Sequence, residues 1–150
     1  SVGAYHVLEL DTDGTKQAEH FINAVGEDLS GRLIPAVEVR LRGLYRLLPP
    51  DYYEAADNLA DFCDRIEKQY GVRPVIYCTE RTYKNIVASD SRFNKDKIWY
   101  ESLFSKPDED MDWTFWTYTN RVKFSFYESG EYLHMTVFNG SEDDFKKLIL

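Results

Sequence analysis

Basic residues, cysteines and long apolar runs are what this chain has least of. Eighteen Lys and Arg stand against 26 Asp and Glu, a formal charge of −8. That balance argues against nucleic acid or an anionic membrane surface as the main partner, because either would select a basic face. No apolar run approaches the roughly 20 residues that cross a bilayer. The N-terminal "SVGAYHVLEL" lacks the charged-then-apolar layout of a secretion signal. The expectation is a soluble chain, with its compartment left open.

Only two cysteines occur, Cys63 and Cys78, each inside an apolar run. This predicts two buried thiols rather than a disulfide or a metal site. The three histidines, His6, His20 and His134, are scattered, and none stands at ligand spacing from a cysteine or another histidine. The acidic "PDEDMD" lacks the glycine and terminal glutamate of a calcium loop, so it reads as solvated charge. No metal and no cofactor are expected.

What is present is enough for one substantial core. The 150 residues are 43% hydrophobic and 15% aromatic, which predicts a single domain over residues 1–150. Short apolar runs alternate with helical patterns, the layout of βα units on a mostly parallel sheet. "VGAYHVLEL" is the first strand, and Ala18, Phe21, Ile22 and Val25 then recur at helical spacing. "LIPAVEV" is the second strand, followed by the irregular "RLRGLYRLLPP".

A well-defined helix begins after Pro49-Pro50 at Asp51, keeps Tyr52, Ala56, Leu59, Phe62, Cys63 and Ile66 on one face, and stops at Gly71. "RPVIYC" and "KIWYESLF" are further strands, with a short helix "ERTYKNIVA" between them. "WTFWTYT" and "YLHMTVF" alternate as half-buried strands. Ser141 and Asp144 stand at capping-box spacing ahead of a terminal helix. The expected class is thus α/β with about six mostly parallel strands and flanking helices.

The stretch "LIPAVEVRL" delivers Glu38 and Arg40 to one side of a strand, since alternate side chains share a face. A carboxylate beside a permanently charged guanidinium is favoured in its ionised form. The pair is read as a charge-matched structural or binding element rather than a catalytic one. An arginine in a half-buried mouth needs a partner, and Glu38 or Glu101 is expected to supply it. Tyr5, Tyr77, Trp99, Trp113 and Trp116 are aromatic surfaces on which a sugar ring or another flat ligand could stack, and core packing accounts equally well for most of them.

Taken in order, "GAYHVL", "QAEHFI", "LIPAVEV", "RPVIYC", "KIWYESLFSKP", "DWTFWTYT" and "VFNGSEDDFKKL" resemble the lysozymes of glycoside hydrolase family 25, the Chalaropsis-type muramidases. The resemblance implies a modified, TIM-like β/α barrel. It also implies cleavage of the β-1,4 bond between N-acetylmuramic acid and N-acetylglucosamine in peptidoglycan, an activity of the cell wall. The family carries two further strands before the "GAYH" strand, so the chain is expected to form a partial barrel, the C-terminal three-quarters of the family's domain.

At the rim, this chain departs from the family's pattern. The family's Asp-x-Glu is represented by Glu38 and Arg40, and its late Val-Asp-Leu-Asn by Leu133, His134, Met135 and Thr136. Its usual Gln is Thr117, and its small residue after "IWY" is Glu101. Scaffold words persist while pocket words change, as expected of redesign or of a lineage released from catalysis. Arg40 has no proton to give at working pH, and loss of a general acid forfeits about 10²–10⁴ in rate.

The expected site therefore comprises Glu38 as the catalytic candidate, with Tyr5, Arg40, Tyr77, Trp99, Glu101, Thr117, His134 and Thr136 as pocket or substrate-binding residues. His134 serves either as a base beside Glu38 or Glu101 or as an imidazole hydrogen-bonded in a polar pocket, the second being preferred. Three functions compete. The first is an active glycosidase using Glu38, Glu101 or Glu9 as substitute acids. The second is a non-catalytic module binding a glycan or small molecule, and the third a partial barrel that self-associates into a homo-oligomer through open sheet edges. The second and third are favoured.

Overall fold

The structure, a computed structural model, describes residues 2–123 and 132–150. Its frame is a six-stranded sheet whose spatial order follows the sequence: β1 (Tyr5–Val7), β2 (Ala36–Val39), β3 (Val75–Thr79), β4 (Ile98–Glu101), β5 (Phe115–Val122) and β6 (Leu133–Phe138). The first five run parallel and β6 returns antiparallel to β5. This is the expected α/β architecture, a partial β/α barrel with flanking helices. Among the described residues β1 and β6 do not pair with each other, so the sheet is open.

Helices cover one face because crossovers between parallel strands must pack back on the sheet. They are α1 (Gly14–Val25), α2 (Tyr52–Tyr70) and a single turn α3 (Glu80–Thr82), whereas α4 (Glu142–Lys146) follows β6 and packs Phe145 against Phe115 and Phe138 of the other face. Asp13 caps α1 by accepting from Lys16 N at 2.9 Å, and Asp51 caps α2 by accepting from Tyr53 N at 2.8 Å. α2 stops at Gly71, as its sequence predicts. Leu59, Phe62 and Ile66 on its inner face are fully buried against Val37, Val39, Ile76 and Cys78 of the sheet. Each such side chain contributes about 1.5–3 kcal/mol.

The two long helices cross closely at Gly14. A Cβ there would lie 1.8 Å from the Asn58 carbonyl oxygen, so only glycine fits. Cys63 and Cys78 are free and buried, as expected.

The segment expected to be one short helix after β3 is an α-turn that widens. Tyr83–Val87 form a π-type turn in which Ala88 N bonds to Tyr83 O at 2.8 Å. Thr82 holds its start, donating from Oγ1 to Val39 O at 2.8 Å. The irregular stretch after β2 contains a 3₁₀ turn, Gly43–Arg46, entered through Gly43 at φ 53°, a left-handed conformation that suits glycine. No helix among the described residues is long and apolar enough to cross a membrane.

The opposite face of the sheet is lined in rows. Val7, Glu38, Tyr77, Trp99, Phe115 and Phe138 are register partners across all six strands, and Thr79, Glu101, Thr117 and Thr136 form the next row. Below them Ala36 and Val75 pack with Ile34 and Leu148 in a second, smaller apolar cluster. The C-terminal residues seal its base, Ile34 N bonding to Leu148 O at 2.8 Å and Leu150 N to Arg32 O at 2.9 Å. Apolar packing thus occupies the lower part of this face and leaves polar side chains at the C-terminal ends of the strands, where parallel β/α sheets build their sites.

Candidate functional site

Those strand ends open on a cleft of about 610 Å³. Glu38 rises into it from β2, Tyr77 from β3 and Trp99 from β4, all in one row; Arg40 stands one alternation beyond Glu38. Tyr5 reaches in from β1 and His134 from β6, while Arg42 and Arg46 come from the segment after β2.

Charge pairing organises the centre. Arg40 Nε donates to Glu38 Oε1 at 2.7 Å, and its Nη2 donates to Glu101 Oε2 at 2.6 Å and to the Tyr77 hydroxyl at 3.1 Å. Arg42 Nη2 donates to the other oxygen of Glu38 at 3.0 Å. The Tyr77 hydroxyl donates in turn to Glu101 Oε2. Glu38 and Glu101 are 6% and 9% exposed, so these contacts operate away from bulk water and are only weakly screened.

Burial opposes the charge on Arg40, but the hydrogen bond to Glu101 and the surrounding carboxylates outweigh it and hold the guanidinium above its ordinary pKa. Burial, and then the hydrogen bond to Glu101, push the Tyr77 phenol well above the usual tyrosine range.

Aromatic rings form the floor. Tyr77 and Trp99 lie 4.8 Å apart at 32°, and Trp99 contacts Phe115 at 5.4 Å. Thr117 and Thr136 do not line the cleft. Thr117 is buried behind Trp99, accepts from its indole Nε1 at 2.8 Å and bonds to the Thr136 hydroxyl at 2.7 Å. Thr117 thus orients the floor from behind, with the exposed Thr136 of β6 as its hydrogen-bond partner. Glu101 likewise meets the cleft at its edge, through Arg40 and Tyr77.

His134 corrects an expectation. It lines the mouth from β6, exposed, with no hydrogen bond to Glu38, Glu101 or any other described residue. β6 lies four strands from β2, and the open mouth separates them. Glu9 is exposed and lies outside this cleft, in an adjoining hollow with Arg40 and Arg42. Trp113 and Trp116 meet edge to face with centroids 6.2 Å apart, away from the cleft. No group of three or more His, Cys, Asp or Glu set to hold a metal occurs among the described residues.

Two charged cleft residues escaped the sequence reading, Arg42 and Arg46. The signal was there: "RLRGLYR" puts three arginines in seven residues of an acidic chain.

A mostly parallel β/α sheet with a polar, aromatic-floored cleft at its strand ends defines a barrel-type scaffold of the kind that carries enzyme sites at this face. The chain belongs to glycoside hydrolase family 25: the model described as "Glycosyl hydrolases family 25" matches residues 1–125. Among solved structures it is similar to a family 25 glycosyl hydrolase from Bacillus anthracis, with 30% identity and a TM-score of 0.85 over 99% of this chain and 69% of that one. It also resembles the bacterial lysozyme from Streptomyces coelicolor, at 23% identity and TM-score 0.78 over 97% and 70% of the two chains. The muramidase from Acremonium alcalophilum, at 23% and 0.73 over 97% and 71%, shares the fold. No curated protein matches the chain.

Proposed function

We propose that this chain is a glycan-binding, non-hydrolysing member of the family, which keeps the lysozyme-like framework and holds a peptidoglycan-type saccharide in the cleft. The carrying observation is Arg40 between Glu38 and Glu101. Hydrolysis of a glycosidic bond requires a protonated acid at the leaving oxygen and a second carboxylate for the opposite face. Here both oxygens of Glu38 accept from guanidiniums, and the bonded oxygen of Glu101 accepts from Arg40 and Tyr77. Engaged in this way, the two carboxylates serve as acceptors, and Arg40 supplies no acid in their place.

What remains is suited to holding a sugar: an aromatic floor, a fixed polar wall and donors with spare valence. The likeness to a lysozyme and a muramidase supports peptidoglycan strands as the ligand class. Residues 1–150 are read as one domain equivalent to the C-terminal part of the family's barrel.

The test is a sedimentation and turbidity pair on purified peptidoglycan. Co-sedimentation without clearing is the expected result. Clearing that disappears in Glu38→Gln would instead establish the alternative, a glycosidase working with substitute carboxylates.

A second reading rests on the open sheet. Tyr5 on the edge strand β1 is 65% exposed, beside an apolar hollow of about 220 Å³ that includes Gly3, Leu33 and Leu148. An unpaired edge next to apolar surface is a template for another strand, which supports self-association. Light scattering after size exclusion decides it, a strictly monomeric species at high concentration counting against it.

A further inference from the structure

Two exposed apolar features stand on one rim of the sheet, and they carry opposite charge. The first is the 3₁₀ turn after β2 and the residues that follow it, where Leu44, Leu47 and Leu48 are all exposed. Leu44 and Leu47 are one turn apart and share a side, with Leu48 next to them. The turn is pinned from two directions: the Tyr45 hydroxyl donates to Asp11 Oδ2 at 2.5 Å, and Arg81 donates to the Arg46 carbonyl oxygen at 3.3 Å. Its leucines cannot fold away without breaking these anchors. A single exposed leucine is ordinary, whereas a fixed group of three marks a contact surface.

The second feature is the loop after β4. Phe104 is fully exposed, and the exposed acids Asp108, Glu109, Asp110 and Asp112 follow it, with Lys106 the only cation in the stretch. Around the leucines the sign is reversed, for Arg46 and Arg81 are exposed cations. None of these four acids and neither arginine makes an ion pair with a described residue. Glu80, the acid next to Arg81 in sequence, is taken by Lys84 at 2.7 Å.

The two features are ends of one surface. A hollow of about 240 Å³ runs from Arg46 past Thr79 to Arg81, and a second of about 460 Å³ runs from Thr79 and Arg81 to Phe104. Glu80 chiefly, and Asp108 with it, hold the Lys84 ammonium above its ordinary pKa, which puts the acidic loop beside the second hollow. An anionic membrane or a polyanion would suit the basic end and be repelled by the acidic one. A surface whose two ends complement each other fits a second copy of itself.

We infer that this rim is a two-fold interface between copies of this chain, in which the leucine–arginine turn of each copy seats on the Phe104 loop of the other. A two-fold axis through the hollows exchanges the two ends, so the contact is made twice and closes at two chains. Exposed leucines and phenylalanine supply the apolar part, and Arg46 and Arg81 against the acids fix the orientation. The interface is distinct from the open β1 edge and does not depend on what the cleft binds.

Light scattering after size exclusion, over a range of concentrations, tests this with two charge variants. Arg46→Glu/Arg81→Glu makes both ends acidic, and Asp108→Lys/Glu109→Lys/Asp110→Lys makes both ends basic. Wild type is expected to form a concentration-dependent dimer. Each variant alone should be monomeric, with a dissociation constant at least about tenfold higher, because like charges then meet at both contacts. An equal mixture of the two should recover the dimer, since every end again faces its opposite. All five positions are exposed and outside the described ion pairs, and unchanged thermal melting shows that the variants are folded.

Wild type that stays monomeric at every concentration overturns the inference together with the open-edge reading. A variant that dimerises alone as tightly as wild type overturns it and leaves the edge reading standing, as do species larger than a dimer. Variants that are monomeric alone and remain so when mixed also overturn it, because complementary charge at the two ends is then not what joins the copies. The saccharide reading is untouched by any of these outcomes, its probes being peptidoglycan and soluble tetra-N-acetylchitotetraose.

Discussion

Arg40 reaches across the whole width of β3 to Glu101, its Nη2 lying 2.6 Å from Oε2 of a carboxylate 61 residues away in sequence. The contact ties the end of β2 to the end of β4. Truncation by Arg40→Ala leaves Glu38 and Glu101 facing one another in a largely buried mouth without their shared cation. Removing one partner of a buried pair is costly, and because the Arg40 side chain is 25% exposed the expected loss is at the lower end, about 2–4 kcal/mol. Urea unfolding at neutral pH measures it. Arg40→Lys should recover only part, because an ammonium lacks the fork that reaches both carboxylates.

Restoring acids to the rim should not restore hydrolysis. Arg40→Glu with His134→Asp would return carboxylates to positions where the family has them, but it would also crowd negative charge against Glu38 and Glu101 and strip Arg40 from both. Like charges packed together are destabilising. The double variant is expected to unfold more readily and to leave peptidoglycan suspensions turbid. Vigorous clearing would mean that Arg40 and His134 together had kept the site from working.

Thr117 offers a way to weaken ligand binding without touching the ligand. Its hydroxyl accepts from the Trp99 indole at 2.8 Å and is linked to Thr136 at 2.7 Å. Thr117→Val conserves shape but leaves the indole N–H unpaired, which costs about 1–2 kcal/mol. With Trp99 free to tilt, the affinity for chitotetraose should fall several-fold while Thr136→Ser, which keeps a hydroxyl in the row, has little effect. Titration calorimetry on the two variants separates these outcomes.

The frame was legible because its signals are local. Pro49-Pro50-Asp51 and Gly71 bound α2, and period-two alternation places Glu38 and Arg40 on one face before any contact is known. That Arg40 engages both Glu38 and Glu101 depends on the register of three strands, which no short stretch encodes. The same holds for Trp99 and Thr117, which meet only because β4 and β5 pair as they do. Arg42, Arg46 and Arg81 were harder still. Their meeting depends on the left-handed turn at Gly43 and on Thr82 being anchored to Val39, two features of irregular backbone. The π-type turn after Thr82 has no sequence periodicity that distinguishes it from an ordinary helix.

Stability should decline on the alkaline side, and the direction follows from burial. Cys63 and Cys78 are sealed in the core, and burial pushes both thiols far above their ordinary value of 9.0. Burial also raises the Tyr100 phenol from 10.0 to about 12. In the unfolded chain the thiols lose their protons near pH 9 and the phenol near 10, while the native state retains them. The unfolded state therefore binds fewer protons than the native one in this range. Stability falls as pH rises, by up to about 1.4 kcal/mol per pH unit for each group that differs fully.

Tyr100 isolates the effect, since its side chain is 6% exposed and its hydroxyl makes no hydrogen bond to a described residue. Tyr100→Phe should thus be nearly neutral at pH 7 and relatively stabilising at pH values between 10 and 12. Urea midpoints of wild type and variant across this range should diverge with pH; parallel curves would mean that the phenol ionises in the native state as readily as in the unfolded chain.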